Sequence, residues 1–301
     1  MKNYVVENLT RYRKVGDRVV DVRAEPKHGG TDHPDFSSRG FLEDVIPRLR
    51  FGGERPTALE LGTGGGPGAL FLAAHGFRVH GIDLIPKAIE QARRNASARG
   101  VEAAFEVRDV TRIPHAGPAY DLIVDSYCLQ GIALDADRDA VFRAVKARLD
   151  PGGYYVVSTA MYEAHRHHPE RHVVDRATGR RFDGFDDDCL YDPHTDLCYW
   201  PYDGEAEIDG AITVGGAHFF PARRYRNGPR LRKEVESYGF EVLLQSGEWG
   251  ENLVAVHRGR GVRPHDASHG GARALRAEGS LHLLNPAPSS PNLQVRLAPP
   301  A

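Results

Sequence analysis

The glycine run Gly62-Thr63-Gly64-Gly65-Gly66 and the aspartate Asp83 are the residues of this chain best suited to hold a reactive ligand. Glycines remove side chains where a backbone must turn sharply and approach a ligand closely. N–H groups at the start of a helix behind such a turn face an anionic group. An aspartate at the end of the neighbouring strand can accept hydrogen bonds from both hydroxyls of a ribose. This combination suits a nucleoside-bearing ligand. Gly64-x-Gly66-x-x-Ala69 also satisfies the dinucleotide fingerprint, so a nicotinamide or flavin enzyme stands as a rival.

The elements that must position these residues alternate regularly. Thr57 to Leu61 is an apolar run of strand length, Ala69 to His75 is helix material stopped by Gly76, and Phe77 to Ile82 is a second strand. Pro86 suits a first helical turn, with a helix from Ala88 to Arg99. Ala103 to Val107 and Tyr120 to Val124 are further strands, and a helix capped by Asp135 or Asp137 reaches Leu149. Tyr154 to Thr159 is the fifth strand. Strands alternating with helices imply a parallel sheet covered on both faces. After a helix from Pro229 to Tyr238, the runs Phe240 to Gln245 and Asn252 to His257 are joined too tightly for a parallel crossover. The fold class expected is α/β, a doubly wound, mostly parallel seven-stranded sheet with an antiparallel terminal strand.

Between these parts lies a stretch of different rhythm. Asp203-Gly204, Asp209-Gly210 and Gly215-Gly216 favour two-residue hairpin turns, which predicts a β-meander of short strands at Glu205 to Ile208, Ala211 to Val214 and Ala217 to Phe220. Its aromatic residues, among them Tyr162, Tyr191, Trp200 and Phe220, set it apart from a disordered linker. Ahead of the first core strand, Val15 to Val22 suggests a short strand, 27–35 a loop, and Ser37 or Ser38 a helix cap. The expected divisions are a 1–56 N-terminal extension on the substrate side, a core of 57–160 and 229–258, a covering insert of 161–228, and a disordered tail of 259–301.

Composition excludes several classes. The net charge of -2 over 301 residues gives no general attraction to nucleic acid or to an anionic membrane. No apolar run has the length of a membrane span. The start of the chain lacks the apolar centre of a secretory signal, and an odd three cysteines make no disulfide framework, which together favour a cytoplasmic location.

Assembled, the chain resembles class I S-adenosylmethionine-dependent methyltransferases, specifically their small-molecule branch. The family's acidic-x-Gly-x-Gly-x-Gly motif stands here as Glu60-Leu61-Gly62-Thr63-Gly64-Gly65-Gly66. Asp83-Leu84, Asp109-Val110, the Tyr120 to Asp125 run, Pro151-Gly152-Gly153 and Gly239-Phe240 match further family positions in order. The resemblance covers about residues 40–160 and 229–258. It implies that Gly62, Thr63, Gly64 and Gly66 hold the methionine end of S-adenosyl-L-methionine, with Glu60 bracing the loop or reaching the amino group. Asp83 would take the ribose and Leu84 the adenine face, Asp109 and Val110 the adenine edge, and Asp125, Ser126 and Tyr127 the region near the sulfonium. A small-molecule acceptor is implied, with no nucleic acid, membrane or metal. A methyltransferase acting on protein or RNA and a non-catalytic regulator are the alternatives.

Methyl transfer needs chiefly a positioned, desolvated nucleophile, with a base only for a hydroxyl or ammonium acceptor. His165, just after the fifth strand, is the expected base, with His167 and His168 as bystanders. Tyr12, Tyr127 and Tyr162 are candidates for positioning the acceptor. The sets His28, His33, Asp35 and Cys189-x4-His194-x3-Cys198 have zinc-ligand chemistry, but the cysteine spacing matches no common finger; both are read as solvated loops.

Overall fold

The computed structural model describes residues 1–6, 36–176 and 178–257. Expectations for Tyr12, Val15 to Val22, the His28/His33/Asp35 loop and the 259–301 tail fall outside them.

The apolar runs form the strands. The first sheet holds β1 (Thr57–Leu61), β2 (Arg78–Asp83), β3 (Ala103–Val107), β4 (Tyr120–Ser126), β5 (Leu149–Ser158), β12 (Glu241–Ser246) and β13 (Asn252–Val256). Its order is β12-β13-β5-β4-β1-β2-β3. All neighbours are parallel except where β13 slots antiparallel between β12 and β5. Alternate residues serve opposite faces. Leu59, Leu61, Ile123, Tyr155 and Val157 join one core, and Ala58, Leu122, Val124, Tyr154 and Val156 the other. A sheet buried on both sides needs apolar residues at both parities, hence runs without polar alternation.

Helices α1 (Arg39–Val45), α2 (Pro67–Ala74) and α3 (Pro86–Ala98) cover the second of these cores, while α4 (Asp135–Arg148) and α5 (Gly228–Ser237) cover the first. In α3, Ile89, Ala92 and Ala96 recur at helical spacing and are buried. Helix α4 places Asp135 and Asp137 in its first turn and Lys146 and Arg148 in its last, as the helix dipole favours. The reversal of strand order lies between β4 and β1, and the glycine turn follows β1 at that switch point.

The stretch after β5 is a second, six-stranded antiparallel sheet of β6 (His167–Val174), β7 (Arg181–Phe185), β8 (Cys189–Asp192), β9 (Leu197–Tyr202), β10 (Ile212–Val214) and β11 (Ala217–Arg224), in the order β10-β11-β9-β8-β7-β6. The Gly215-Gly216 turn joins β10 to β11 with φ of 60° and 84°, as a two-residue hairpin requires. The expected strand at Glu205 to Ile208 is absent. Its backbone pairs with the chain's own start: the Met1 amino group donates to the Glu207 carbonyl at 2.7 Å, and Asp209 N–H to the Met1 carbonyl at 2.9 Å. Strands β7 to β9 carried no alternating signal because both faces pack apolar side chains, Phe182 and Tyr199 on one and Phe185 and Tyr191 on the other.

This second sheet rests on the segment just beyond β4. Ala133 packs with Phe182, Tyr199 and Phe219, and the Asn3 amide bridges the carbonyls of Gly131 and Pro221 at 3.2 and 2.8 Å. No helix among the described residues is long and apolar enough to cross a membrane.

Candidate active site

The turn after β1 is shaped by positive φ at Gly62, Gly64 and Gly66, at 63°, 55° and 87°. Left-handed residues alternating with ordinary ones turn successive N–H groups toward one concave side. The loop is pinned from three directions. Thr63 N–H donates to the Ile82 carbonyl at 2.9 Å, Asn95 of α3 donates to the Gly65 carbonyl at 2.8 Å, and Gly64 N–H donates to Asp83 Oδ2 at 2.9 Å.

Glu60 is 3% exposed and lies beneath this loop, accepting the Thr63 hydroxyl. Of the two roles open to it, the geometry is that of a brace. A Cβ added at Gly68 would stand 2.0 Å from Glu60 Oε1, so the helix start and the carboxylate share one space. Gly68→Ala inside a helix should ordinarily gain about 0.8–1.0 kcal/mol. Here it should lower the melting temperature and weaken cofactor binding, because the buried carboxylate must move. Gly40→Ala in α1, where nothing lies within 4 Å, is expected to raise the melting temperature slightly. Thermal melts of the two variants check the contrast.

Asp83 ends β2 with its carboxylate oriented by Gly64 N–H and by Ile85 N–H at 2.9 Å. A carboxylate can accept about four hydrogen bonds, so this orientation is compatible with meeting ribose hydroxyls. Leu84 beside it is half-buried against the core. Asp109 accepts the N–H and hydroxyl of Thr111 at 2.9 and 2.8 Å, and the Tyr4 hydroxyl at 3.0 Å. It thus caps the turn containing buried Val110 and tethers the N-terminal segment over the end of β3. Asp125, 1% exposed, accepts Cys128 and Leu129 N–H at 2.9 and 3.0 Å, which fixes the turn after β4. Ser126 shares a hydrogen bond with Ser38. Ser38 stands at the start of α1 but makes no side-chain cap, so its hydroxyl serves the strand end instead.

Tyr127 has a φ of 62°, uncommon for a bulky residue, and its N–H donates to the Ser158 carbonyl at 2.7 Å. Such strain, of order 1–3 kcal/mol, clusters at functional sites. His165 carries a 71% exposed side chain with Glu163 at 3.6 Å. The structure instead places His167 in a chain of hydrogen bonds, between the Tyr162 hydroxyl at 2.7 Å and Asp183 at 2.9 Å. Sequence reasoning missed Tyr4, Asp183 and the role of Ser38. No local pattern could reveal them, since their partners lie far along the chain. Cys189 and Cys198 are free thiols in adjacent strands, and among the described residues no group of three or more His, Cys, Asp or Glu is placed to hold a metal ion.

A glycine cradle, a helix start and strand-end carboxylates on one edge match what comparison finds. Residues 58–153 match the family described as "Methyltransferase domain". Residues 58–153 of this chain form a methyltransferase domain. Among its relatives is a ubiquinone biosynthesis O-methyltransferase of Methylobacterium, 30% identical over 103 residues, covering 34% of this chain and 40% of that protein. The demethylmenaquinone methyltransferase of Thermus thermophilus is 36% identical over 101 residues, covering 33% and 44%. The chain thus spans less than half the length of these curated relatives. An S-adenosylmethionine-dependent methyltransferase structure from Clostridium acetobutylicum superposes with a TM-score of 0.52 at 16% identity, covering 83% of this chain and 99% of that one. At that identity the likeness concerns the fold. The methyltransferase domain match ends at residue 153, before the second sheet begins.

The residues present fit S-adenosylmethionine. The methyltransferase domain offers backbone N–H groups at the start of α2 for a carboxylate, Asp83 for two hydroxyls, and the apolar Leu84 and Val110 for a purine.

Proposed function

We propose that this chain transfers a methyl group from S-adenosylmethionine to a small-molecule acceptor. The observation that carries the reading is the glycine cradle at the strand-order switch point with Asp83 hydrogen-bonded to it from the next strand. Bound there, the cofactor supplies a methyl group already activated on a sulfonium.

The chain's own residues then position and desolvate. Gly62 to Gly66 and the start of α2 hold the methionine end, Glu60 braces that loop, and Asp83 holds the ribose. Leu84 and Val110 enclose the adenine, with Asp109 at its edge. Asp125, Ser126 and Tyr127 line the end of β4 toward the reacting carbon. The second sheet, resting on the segment beyond β4, forms the acceptor side and excludes water. Relatives named for ubiquinone biosynthesis and for demethylmenaquinone methylation support a small organic acceptor. They match too little of the chain to name it.

Titration calorimetry tests the reading. S-adenosylhomocysteine should bind stoichiometrically and NAD should not. Tight NAD binding with no S-adenosylhomocysteine binding would return the dinucleotide rival.

A further inference from the structure

Four side chains of the second sheet and its approach form a chain that the cofactor site does not use. The Tyr162 hydroxyl lies 2.7 Å from His167 Nδ1, His167 Nε2 lies 2.9 Å from Asp183 Oδ2, and Arg181 Nε donates to Asp183 Oδ1 at 2.7 Å. His167 stands opposite Phe185 in the β6–β7 pairing. Asp183, two residues along β7, is therefore its diagonal neighbour on the same face. The His167 and Asp183 side chains are only 15% and 6% exposed.

The direction of these bonds follows from charge. Burial raises the Asp183 pKa, but hydrogen bonds from Arg181 and His167 outweigh it and hold the carboxyl below its ordinary value. Asp183 is thus an ionised acceptor, so the His167 proton resides on Nε2. Nδ1 is then a lone pair, and the Tyr162 hydroxyl donates to it. The groups facing His167 are Tyr162 from the segment after β5, Asp183 with Arg181 from β7, and Tyr191 from β8, whose ring centre is 5.3 Å away. His165 and His168 have Glu163 and Glu170 as their ion partners instead.

Chain length keeps the Tyr162 backbone within reach of the end of β4. Tyr162 follows Ser158 by four residues, and the Ser158 carbonyl accepts Tyr127 N–H. Four extended residues span at most about 13–14 Å. The same segment is tied to the loop after β4 by Ala160 N–H donating to Gln130 at 2.9 Å, and Tyr162 N–H donates to the Arg226 carbonyl at 3.0 Å.

We propose that Tyr162, His167 and Asp183 form a proton relay, with the Tyr162 phenol meeting the acceptor, and that the acceptor is a hydroxyl or amine that must lose a proton. The inference rests on the methyl-transfer reading above. The acceptor's oxygen or nitrogen gains a bond to the methyl carbon as that carbon's bond to sulfur breaks, the electron pair staying on sulfur. The acceptor's proton passes to the Tyr162 oxygen, and the phenol's own proton passes to His167 Nδ1. Asp183 stabilises the resulting imidazolium through Nε2–H. Tyr162 is the catalytic residue of this unit, and His167 and Asp183 are positioning residues. A thiolate or carboxylate acceptor would leave the relay without a task.

Two measurements on the full chain test this. In the first, protein labelled with 15N-histidine and saturated with S-adenosylhomocysteine is observed by NMR at mildly alkaline pH. His167 should be neutral as the Nε2–H tautomer. Tyr162→Phe should shift its Nδ1 resonance, and Asp183→Asn should shift its Nε2 resonance. An Nδ1–H tautomer, or ring resonances untouched by both variants, would overturn the relay whether or not any acceptor is turned over. In the second, S-adenosylhomocysteine release is followed with catechol and with small primary amines as probes. Tyr162→Phe should lower kcat about a hundredfold with unchanged cofactor affinity. His167→Gln should also lower kcat with unchanged cofactor affinity. Wild-type turnover and pH profile in Tyr162→Phe would remove the relay and leave methyl transfer standing. Failure of the wild type to bind S-adenosylhomocysteine would remove the methyl-transfer reading itself.

Discussion

Glu234→Ala should cost about 3–5 kcal/mol of stability, because it strips the partner from a buried guanidinium. Arg138 is 3% exposed and donates to both Glu234 oxygens, at 2.7 and 2.6 Å, from α4 to α5. Arg226, just beyond β11, donates to the same carboxylate at 2.9 and 3.1 Å and reaches Asp196 at 3.0 Å. This network joins the first sheet's helices to the turn between β8 and β9. Without Glu234, Arg138 keeps hydrogen bonds to the Leu129 and Ile132 carbonyls but no carboxylate hydrogen-bonded to it among the described residues. The melting temperature should fall on the order of 10 °C. Glu236→Ala, which removes only an exposed pair with Arg232, should change stability by about 0.5 kcal/mol or less. Equal melting of the two variants would show that the network contributes nothing.

The same carboxylate sets an acid limit. Burial raises its pKa, but Arg138 and Arg226 outweigh that and bring it from 4.5 to about 2. A depressed acid stabilises the fold fully above the unfolded value. That contribution, about 3 kcal/mol by linkage, is lost as pH falls from about 4.5 toward about 2. Glu234→Gln should therefore flatten the acid limb of stability in that window. An unchanged limb in denaturant titrations at successive pH values would contradict the assignment.

Asp83→Ala is expected to weaken S-adenosylhomocysteine binding about tenfold to a hundredfold. A hydrogen bond to a charged acceptor contributes roughly 1.5–3 kcal/mol. The loss expected is that of the proposed ribose contact, on a carboxylate that Gly64 N–H orients. Asp83→Asn keeps one acceptor oxygen and should fall between the two. Calorimetry resolves the three values, and an unchanged Kd in Asp83→Ala would place the ribose elsewhere.

Much of the fold was legible because it is written locally. Thr57 to Leu61 and Ala103 to Val107 are strands with the bounds their apolar runs suggested, and Pro86 and Pro229 stand in the first turns of their helices as expected. The glycine turn was legible for a related reason. Positive φ at Gly62, Gly64 and Gly66 requires glycine, so composition there reports conformation directly. The Gly215-Gly216 hairpin was equally clear, whereas the strand proposed beside it was not. Whether Glu205 to Ile208 forms a strand depends on what its backbone meets, and Met1 takes that place from the far end of the chain.

The sequence by itself determined the α/β alternation, the cradle and the edge on which the acidic residues gather. Each follows from side-chain period, turn chemistry or the direction of parallel strands, and all of these act over a few residues. Only the tertiary structure decided that Asp109 meets Tyr4, that Ser38 meets Ser126, and that His167 rather than His165 receives a phenol and a carboxylate. In the run His165-Arg166-His167-His168 the histidines are chemically equivalent. What separates them is that His165 lies in the turn ahead of β6, whereas His167 and His168 lie on the strand with β7 opposite, and that register is fixed by packing between strands.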